Sequence, residues 1–189
     1  MSNPFLDMLL RSLSKFLTSG GKDKEIQIEI PIGTTKESRS NMDSNGINWT
    51  DATHHITPHF TVGDVITLHS WNRLATEDDG LDDDGKEKLI ALCQKMEQVR
   101  THLGCAINVH CMFRSQKYNE EVVKAIPNDV HAQFLAADFD CSPILTIQEI
   151  KDKMEPVLED FGIRMEHGTT TWCHLDLREP GPSGRYFTA

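Results

Sequence analysis

The sequence has little of what marks several common classes of protein. Positive charge is scarce, since 19 Lys and Arg stand against 29 Asp and Glu, and the formal net charge is −10. Phosphate backbones are bound through clustered Lys and Arg, so we expect no nucleic-acid partner. The longest apolar runs are far shorter than the roughly 20 residues that cross a bilayer, so we also expect no transmembrane segment.

Paired cysteines and a secretion signal are missing as well. The five cysteines are odd in number and form no CxxC motif, which favours reduced, mostly buried thiols made in a reducing compartment. The first residues show neither the positive n-region nor the small-residue cleavage site of a signal peptide. We therefore expect synthesis in the cytoplasm without a signal peptide.

What is present is typical of a globular protein with an appendage. The chain has 189 residues, of which 38% are hydrophobic and 25% charged. Residues 1–55 are predicted to hold an amphipathic helix and a polar linker, and residues 56–189 the compact domain. The helix over residues 4–18 is too short to span a membrane, and docking on its own domain or on a partner is favoured over a membrane-surface anchor. The oligomeric state stays open.

Helical and strand periodicities alternate along the compact domain. Helices are predicted over residues 61–75, 86–103, 115–124 and 146–160. Strands are predicted over residues 106–113, 135–141, 163–167 and 171–177. Helices come first and strands then mix with helices, which predicts an α+β fold with a small, largely antiparallel sheet and flanking helices.

A carboxylate inside an apolar strand is the most informative feature. Asp138 lies in LAADFDC, and a carboxylate avoids burial unless another charge or a metal accompanies it. In TWCHLDL the period of two places His174 and Asp176 on one face. If the two strands are neighbours, Asp138 meets His174 while His131 arrives from the preceding loop. This set suits catalytic zinc with an open fourth position; the alternative is a core histidine with a capping Asp.

Several segments, in order, carry a resemblance to a known family. They are ITPHFTVGDVITLHSWNRLA, MEQVRTHLG, INVHCMFRS, the run from His131 to Asp138, and RMEHGTTTWCHLDLR. Together they resemble the zinc D-Ala-D-Ala carboxypeptidase family, which shares its fold with the hedgehog signalling domain, and in particular the subgroup common in phages, which includes endolysins. The family's metal motif, His-x-x-Gly-x-Ala-x-Asp, is matched at both ligands and at Ala136, with Phe134 in place of the Gly.

The resemblance implies a ligand set and a substrate-binding residue. It implies one zinc per chain, held by His131, Asp138 and the His174 of the Trp-x-His motif. Arg114, in the FRS segment, would bind the substrate carboxylate or the oxyanion, because a guanidinium offers a rigid fork of donors. Ser115 is implied in substrate binding too, although it is equally suited to cap the helix that it opens.

The general base is less narrowly defined. Many members carry an acid three residues before the last ligand, where this chain has Thr171. Glu166, at the end of IRMEH, resembles the phage form and is our choice for the catalytic base. Asp176 is an alternative base and His167 an alternative oxyanion donor. Asp129 stands where many members have a Ser that helps to hold the substrate.

The function implied is a zinc peptidase that cuts peptidoglycan stem peptides, near D-Ala or at the L-Ala–D-Glu bond. Such an enzyme would act on the cell wall after release or as part of a virion. Two rivals remain open. One is a zinc-stabilised binding module, favoured by Phe134 and Thr171, and the other is a virion structural protein with a vestigial peptidase site.

Overall fold

The structure, a computed structural model, describes residues 41–124 and 129–188. One compact unit contains all of these residues. The predicted docking helix over residues 4–18 and the first part of the predicted linker, up to residue 40, lie outside the described residues. Within them, no helix combines the length and apolar character needed to cross a membrane.

Short elements occupy the first part of the described chain. They are β1 (His55–Thr57), β2 (Phe60–Thr61), helix α1 (Val62–Ile66), β3 (Thr67–Leu68), a 3-10 turn (His69–Trp71), β4 (Arg73–Leu74) and a second 3-10 turn (Glu77–Asp79). Thr61 and Asp64 form a capping box that starts α1. The helix predicted over residues 61–75 is nevertheless wrong beyond Ile66, because β-branched Thr67 adopts an extended backbone and β3 pairs with β4.

Helix α2 (Asp83–Leu103) is the longest described helix. The side chain of Asp82 accepts the N–H of Gly85 at its start, and Gly104 ends it with a left-handed backbone (φ 72°). The predicted helix over residues 86–103 is confirmed. It begins earlier than predicted, because Asp82 caps it and Asp83 and Asp84 lie in its first turn. The buried positions at helical spacing are Leu89, Leu92, Met96, Val99 and Leu103.

A five-stranded sheet positions the site. Its strands are β5 (Asn108–Cys111), β6 (Ala136–Asp140), β7 (Arg164–Glu166), β8 (Cys173–Asp176) and β9 (Tyr186–Phe187). They lie in the order β5-β6-β8-β7-β9, and every pair is antiparallel except β7 with β9. The predicted α+β fold with a small, largely antiparallel sheet is confirmed. The parallel strand β9 was not predicted, since two residues are too few to show the alternation of side chains that marks a strand.

Three further helical segments complete the domain: α3 (Gln116–Tyr118), α4 (Ile147–Met154) and α5 (Leu158–Phe161). Helix α3 continues as one π-helical turn, Asn119–Val123. The helix predicted over residues 146–160 is divided, because a 3-10 turn containing Pro156 separates α4 from α5.

The buried core includes residues on both sides of the predicted domain boundary. One face of the sheet packs against α2 and α4, and Phe139, Met165 and Leu175 belong to one apolar cluster with the helices. Ile47 and Trp49 join the same cluster. The packed domain therefore extends before residue 56, because the apolar side chains of Ile47 and Trp49 pack this otherwise polar stretch against the core.

Candidate metal centre

Two neighbouring strands and the turn before one of them bring three metal-ligating residues together. Asp138 of β6 faces His174 of β8 directly across the antiparallel ladder, as the period of two predicted. His131 lies in the turn that precedes β6. Each residue offers one ligand atom, and the three atoms lie within 4.8 Å of one another. Across residues 41–124 and 129–188, this is the one such group found.

The ring of His131 is buried and oriented by the backbone. Its Nδ1–H donates to the carbonyl oxygen of Met112 at 3.1 Å, which leaves Nε2 as the lone-pair nitrogen. Nε2 lies 3.2 Å from Oδ2 of Asp138 but is a buried atom without a hydrogen-bond partner. A bond from Nε2 to a metal would remove the cost of that unpaired nitrogen. The residues therefore fit a metal ion.

Asp138 and His174 interact strongly. Oδ1 of Asp138 lies 2.6 Å from Nδ1 of His174. Burial alone would raise the pKa of Asp138, but the interactions with His131 and His174 outweigh it and hold the pKa well below its usual range. Burial alone would lower the pKa of His174, yet Asp138 and Asp176 raise it to about 9. The protein groups alone favour an imidazolium at His174, so a metal ligand there must first lose a proton.

Asp176, the alternative base, is buried and fully hydrogen-bonded. Nε and Nη2 of Arg164 donate to its two oxygens at 2.9 and 2.8 Å. The backbone N–H and the guanidinium of Arg178 donate as well. Burial raises the pKa of Asp176, but hydrogen bonds from His174, Arg164 and Arg178 lower it far more. Asp176 therefore holds the site together and is a poor proton acceptor.

Glu166 and His167 have very different surroundings. The β7–β8 ladder puts Glu166 on the sheet face that carries His174, and its side chain lines the cavity beside the ligands. The side chain of Glu166 makes no hydrogen bond or ion pair with any other described residue. The ring of His167 lies 4.8 Å from the ring of Tyr186 and outside the cavity. Of these two residues, only Glu166 lines the cavity.

Arg114 lies at the cavity together with a carboxylate that was not predicted as a site residue. Nη2 of Arg114 is 3.3 Å from each oxygen of Asp129, and Asp129 accepts the backbone N–H of His131 at 2.7 Å. Ser115 is buried, and its hydroxyl accepts the N–H of Tyr118 at 3.1 Å. Ser115 thus takes the alternative role that the sequence offered, the helix N-cap, and it is not among the residues that line the cavity.

The cavity beside the three ligands has a volume of about 250 Å³. Its lining residues are Arg114, Asp129, Val130, His131, Asp138, Glu166, Trp172, His174, Arg178 and Phe187. Sequence reasoning missed Arg178, although it continues the alternation of His174 and Asp176. It also missed Phe187, which reaches the site only because β9 pairs with β7.

Phe134 occupies the position of the motif's glycine. Its backbone is left-handed (φ 65°), which costs a side-chain-bearing residue about 1–2 kcal/mol. The ring stacks on Phe113 at 4.7 Å between centroids and lies so close to Gly85 of α2 that a Cβ there would come within 2.5 Å of it. The large ring fills a slot in the core and does not enter the cavity, so it leaves the ligands accessible.

A small α+β domain that presents two histidines, an aspartate and a glutamate at one cavity fits the class of metallopeptidases. The family model of peptidase M15 matches residues 60–176, which is more than half of the chain, and the chain belongs to this family of zinc D-Ala-D-Ala carboxypeptidases. Neither a curated protein nor a solved structure matches the chain.

Proposed function

We propose that the protein is a zinc peptidase that hydrolyses the stem peptides of bacterial peptidoglycan, as an endolysin-like or virion-associated cell-wall hydrolase. The observation that carries this proposal is the buried Nε2 of His131, which has no hydrogen-bond partner and lies beside Asp138 and His174. Membership of the peptidase M15 family supports the peptidase activity and the wall substrate.

The roles of the residues follow from their positions. Zinc bound by His131, Asp138 and His174 would lower the pKa of a coordinated water from near 16 to about 7 and polarise the substrate carbonyl. A carboxylate oxygen of Glu166 accepts the proton of the attacking water and delivers it to the amine nitrogen as the C–N bond breaks. The reaction consumes water and releases one carboxylate and one amine.

Two further side chains suit binding of a peptide. Arg114 is placed to donate to the carbonyl oxygen, whose negative charge grows as water attacks. Trp172 lines the cavity and keeps 39% of its surface exposed. Its ring offers an apolar wall against which a peptide packs.

The rival interpretation as a binding module depended on Phe134 and Thr171. The ring of Phe134 lies in the core against Phe113, so it leaves the ligands accessible. Glu166 brings a carboxylate to the cavity although Thr171 does not. Both observations favour the peptidase over a site that only stabilises the fold.

The proposal is tested by digesting purified muropeptides with zinc-loaded protein and identifying the new termini by mass spectrometry. We expect about one zinc per chain, from the three-ligand set with an open position, and peptide products. His131→Ala should lose both the metal and the activity. His110→Ala is the matched control, because His110 lies on β5, pairs with Asp140 and, like it, is not among the residues that line the cavity. Zinc-loaded wild type that leaves every muropeptide intact would contradict the proposal.

A further inference from the structure

Both cations that line the cavity already have carboxylate partners. Nη2 of Arg114 lies 3.3 Å from both oxygens of Asp129. Nη2 of Arg178 lies 2.8 Å from Oδ2 of Asp176, which is fully buried. No other Lys or Arg is among the described residues that line this cavity. A carboxylate on a substrate therefore meets no unpaired positive side chain there.

Asp129 is held in place by more than its ion pair. Its Oδ1 accepts the N–H of His131, two residues further on, at 2.7 Å, in the manner of an Asx-turn. To turn away from Arg114, Asp129 would have to give up this bond to the backbone of a proposed metal ligand. The side chains of Arg114 and Asp129 are only 17% and 14% exposed, so solvent and salt screen their charges weakly.

We infer that the enzyme cuts peptide bonds inside a chain rather than the bond next to a free C-terminal carboxylate; this inference rests on the proposed function. A terminal carboxylate would share Arg114 with Asp129 and enter a cavity that also contains Glu166, and like charges at close range repel each other. A neutral carbonyl meets no such repulsion. A guanidinium has five N–H donors, and Asp129 engages only those of Nη2.

Asp129 is the feature of this chain that carries the preference. The resemblance gives many family members a Ser at this position, and a Ser hydroxyl can accept the same backbone N–H without adding a charge. Replacing Asp129 by Ser should therefore keep the turn before His131 and free Arg114 for a substrate carboxylate. Asp129→Asn removes the charge with almost no change in shape and provides a second variant.

The experiment uses one synthetic stem pentapeptide in two forms, with a free C-terminal carboxylate and with a C-terminal amide. Zinc-loaded wild type should cut both forms at the same internal bond. Release of the last residue from the free acid should be at least about tenfold slower than internal cleavage, because like charges oppose each other in the cavity. In Asp129→Ser and Asp129→Asn, release of the last residue from the free acid should rise by about tenfold or more.

Zinc content is measured for every variant, so that loss of the metal is not mistaken for a change in specificity. Asp160→Asn is the matched control, since it makes the same charge change on an exposed residue of α5 and should behave as wild type.

Wild type that mainly removes the last residue of the free acid would overturn the inference and uphold the proposed function. Unchanged release in both Asp129 variants would overturn the inference too. If zinc-loaded wild type cuts neither these peptides nor muropeptides, the proposed function fails and the inference with it.

Discussion

Two carboxylates on the same face of the sheet, Asp138 on β6 and Asp176 on β8, have opposite surroundings. Asp176 is buried between the guanidinium groups of Arg164 and Arg178, and both of its oxygens accept hydrogen bonds. Asp138 faces two imidazoles, and the ring of His131 keeps a buried nitrogen without a partner. The first set is complete with protein groups alone, whereas a bound cation would complete the second. An unsatisfied buried nitrogen beside the carboxylate, more than burial of the charge itself, therefore distinguishes the proposed metal ligand Asp138 from the structural Asp176.

A third carboxylate on this face extends the comparison. Glu166 lines the same cavity, but its side chain makes no hydrogen bond or ion pair with another described residue. It is therefore the carboxylate to which we assign proton transfer. Neighbouring positions on one small sheet thus carry three acids in three environments, for which we propose three roles: structural at Asp176, metal-ligating at Asp138 and proton-transferring at Glu166.

Replacing Asp138 and Asp176 in turn by alanine should distinguish a metal ligand from a structural group. Asp138→Ala should lose zinc and all peptidase activity, because one of three ligands is gone. Asp176→Ala should keep zinc but lower the free energy of unfolding by about 3–5 kcal/mol, since Arg164 is left as a largely buried, unpaired charge. Zinc analysis and urea unfolding measure the two effects. An Asp138→Ala variant that keeps its zinc, or an Asp176→Ala variant as stable as wild type, would break the comparison.

Glu166→Gln sharpens the comparison by removing a proton acceptor without removing a ligand. We expect activity to fall by roughly two to four orders of magnitude, with zinc content and melting temperature unchanged, because the side chain has no partner to lose. Glu179→Gln, the same change at an exposed position after β8, should remain fully active. Full activity of Glu166→Gln would assign proton transfer to another group.

The pH dependence of zinc binding tests the pairing of Asp138 with His174. In the metal-free protein the pKa of His174 is raised to about 9, so below that pH a proton must leave before the nitrogen binds metal. Apparent zinc affinity should therefore fall about tenfold for each pH unit below 9. Asp138 adds nothing over this range, because its pKa is held well below the usual value. Calorimetry in buffers of different ionisation enthalpy counts the released proton, and pH-independent affinity would contradict the pairing.

Sequence patterns predicted structure well where a local rule applied. The capping box of Thr61 and Asp64 starts α1, and the helical spacing that ends at Gly104 is that of α2. The same kind of pattern failed after Ile66, because pairing of β3 with β4 overrides a weak helical preference. It also gave no sign of β9, whose two residues become a strand only by pairing with β7.

The sequence by itself determined the fold class and the ligand set that we propose. Both depend on patterns within short segments: the alternation of side chains in β6 and β8, and the spacing of His131 and Asp138. Only the tertiary structure decided which charge pairs with which. Asp129 lies against Arg114, Asp176 between Arg164 and Arg178, and the ring of Phe134 against Phe113 and Gly85. Most of these contacts join residues far apart in the chain, and they follow from strand order and register, which no local pattern encodes.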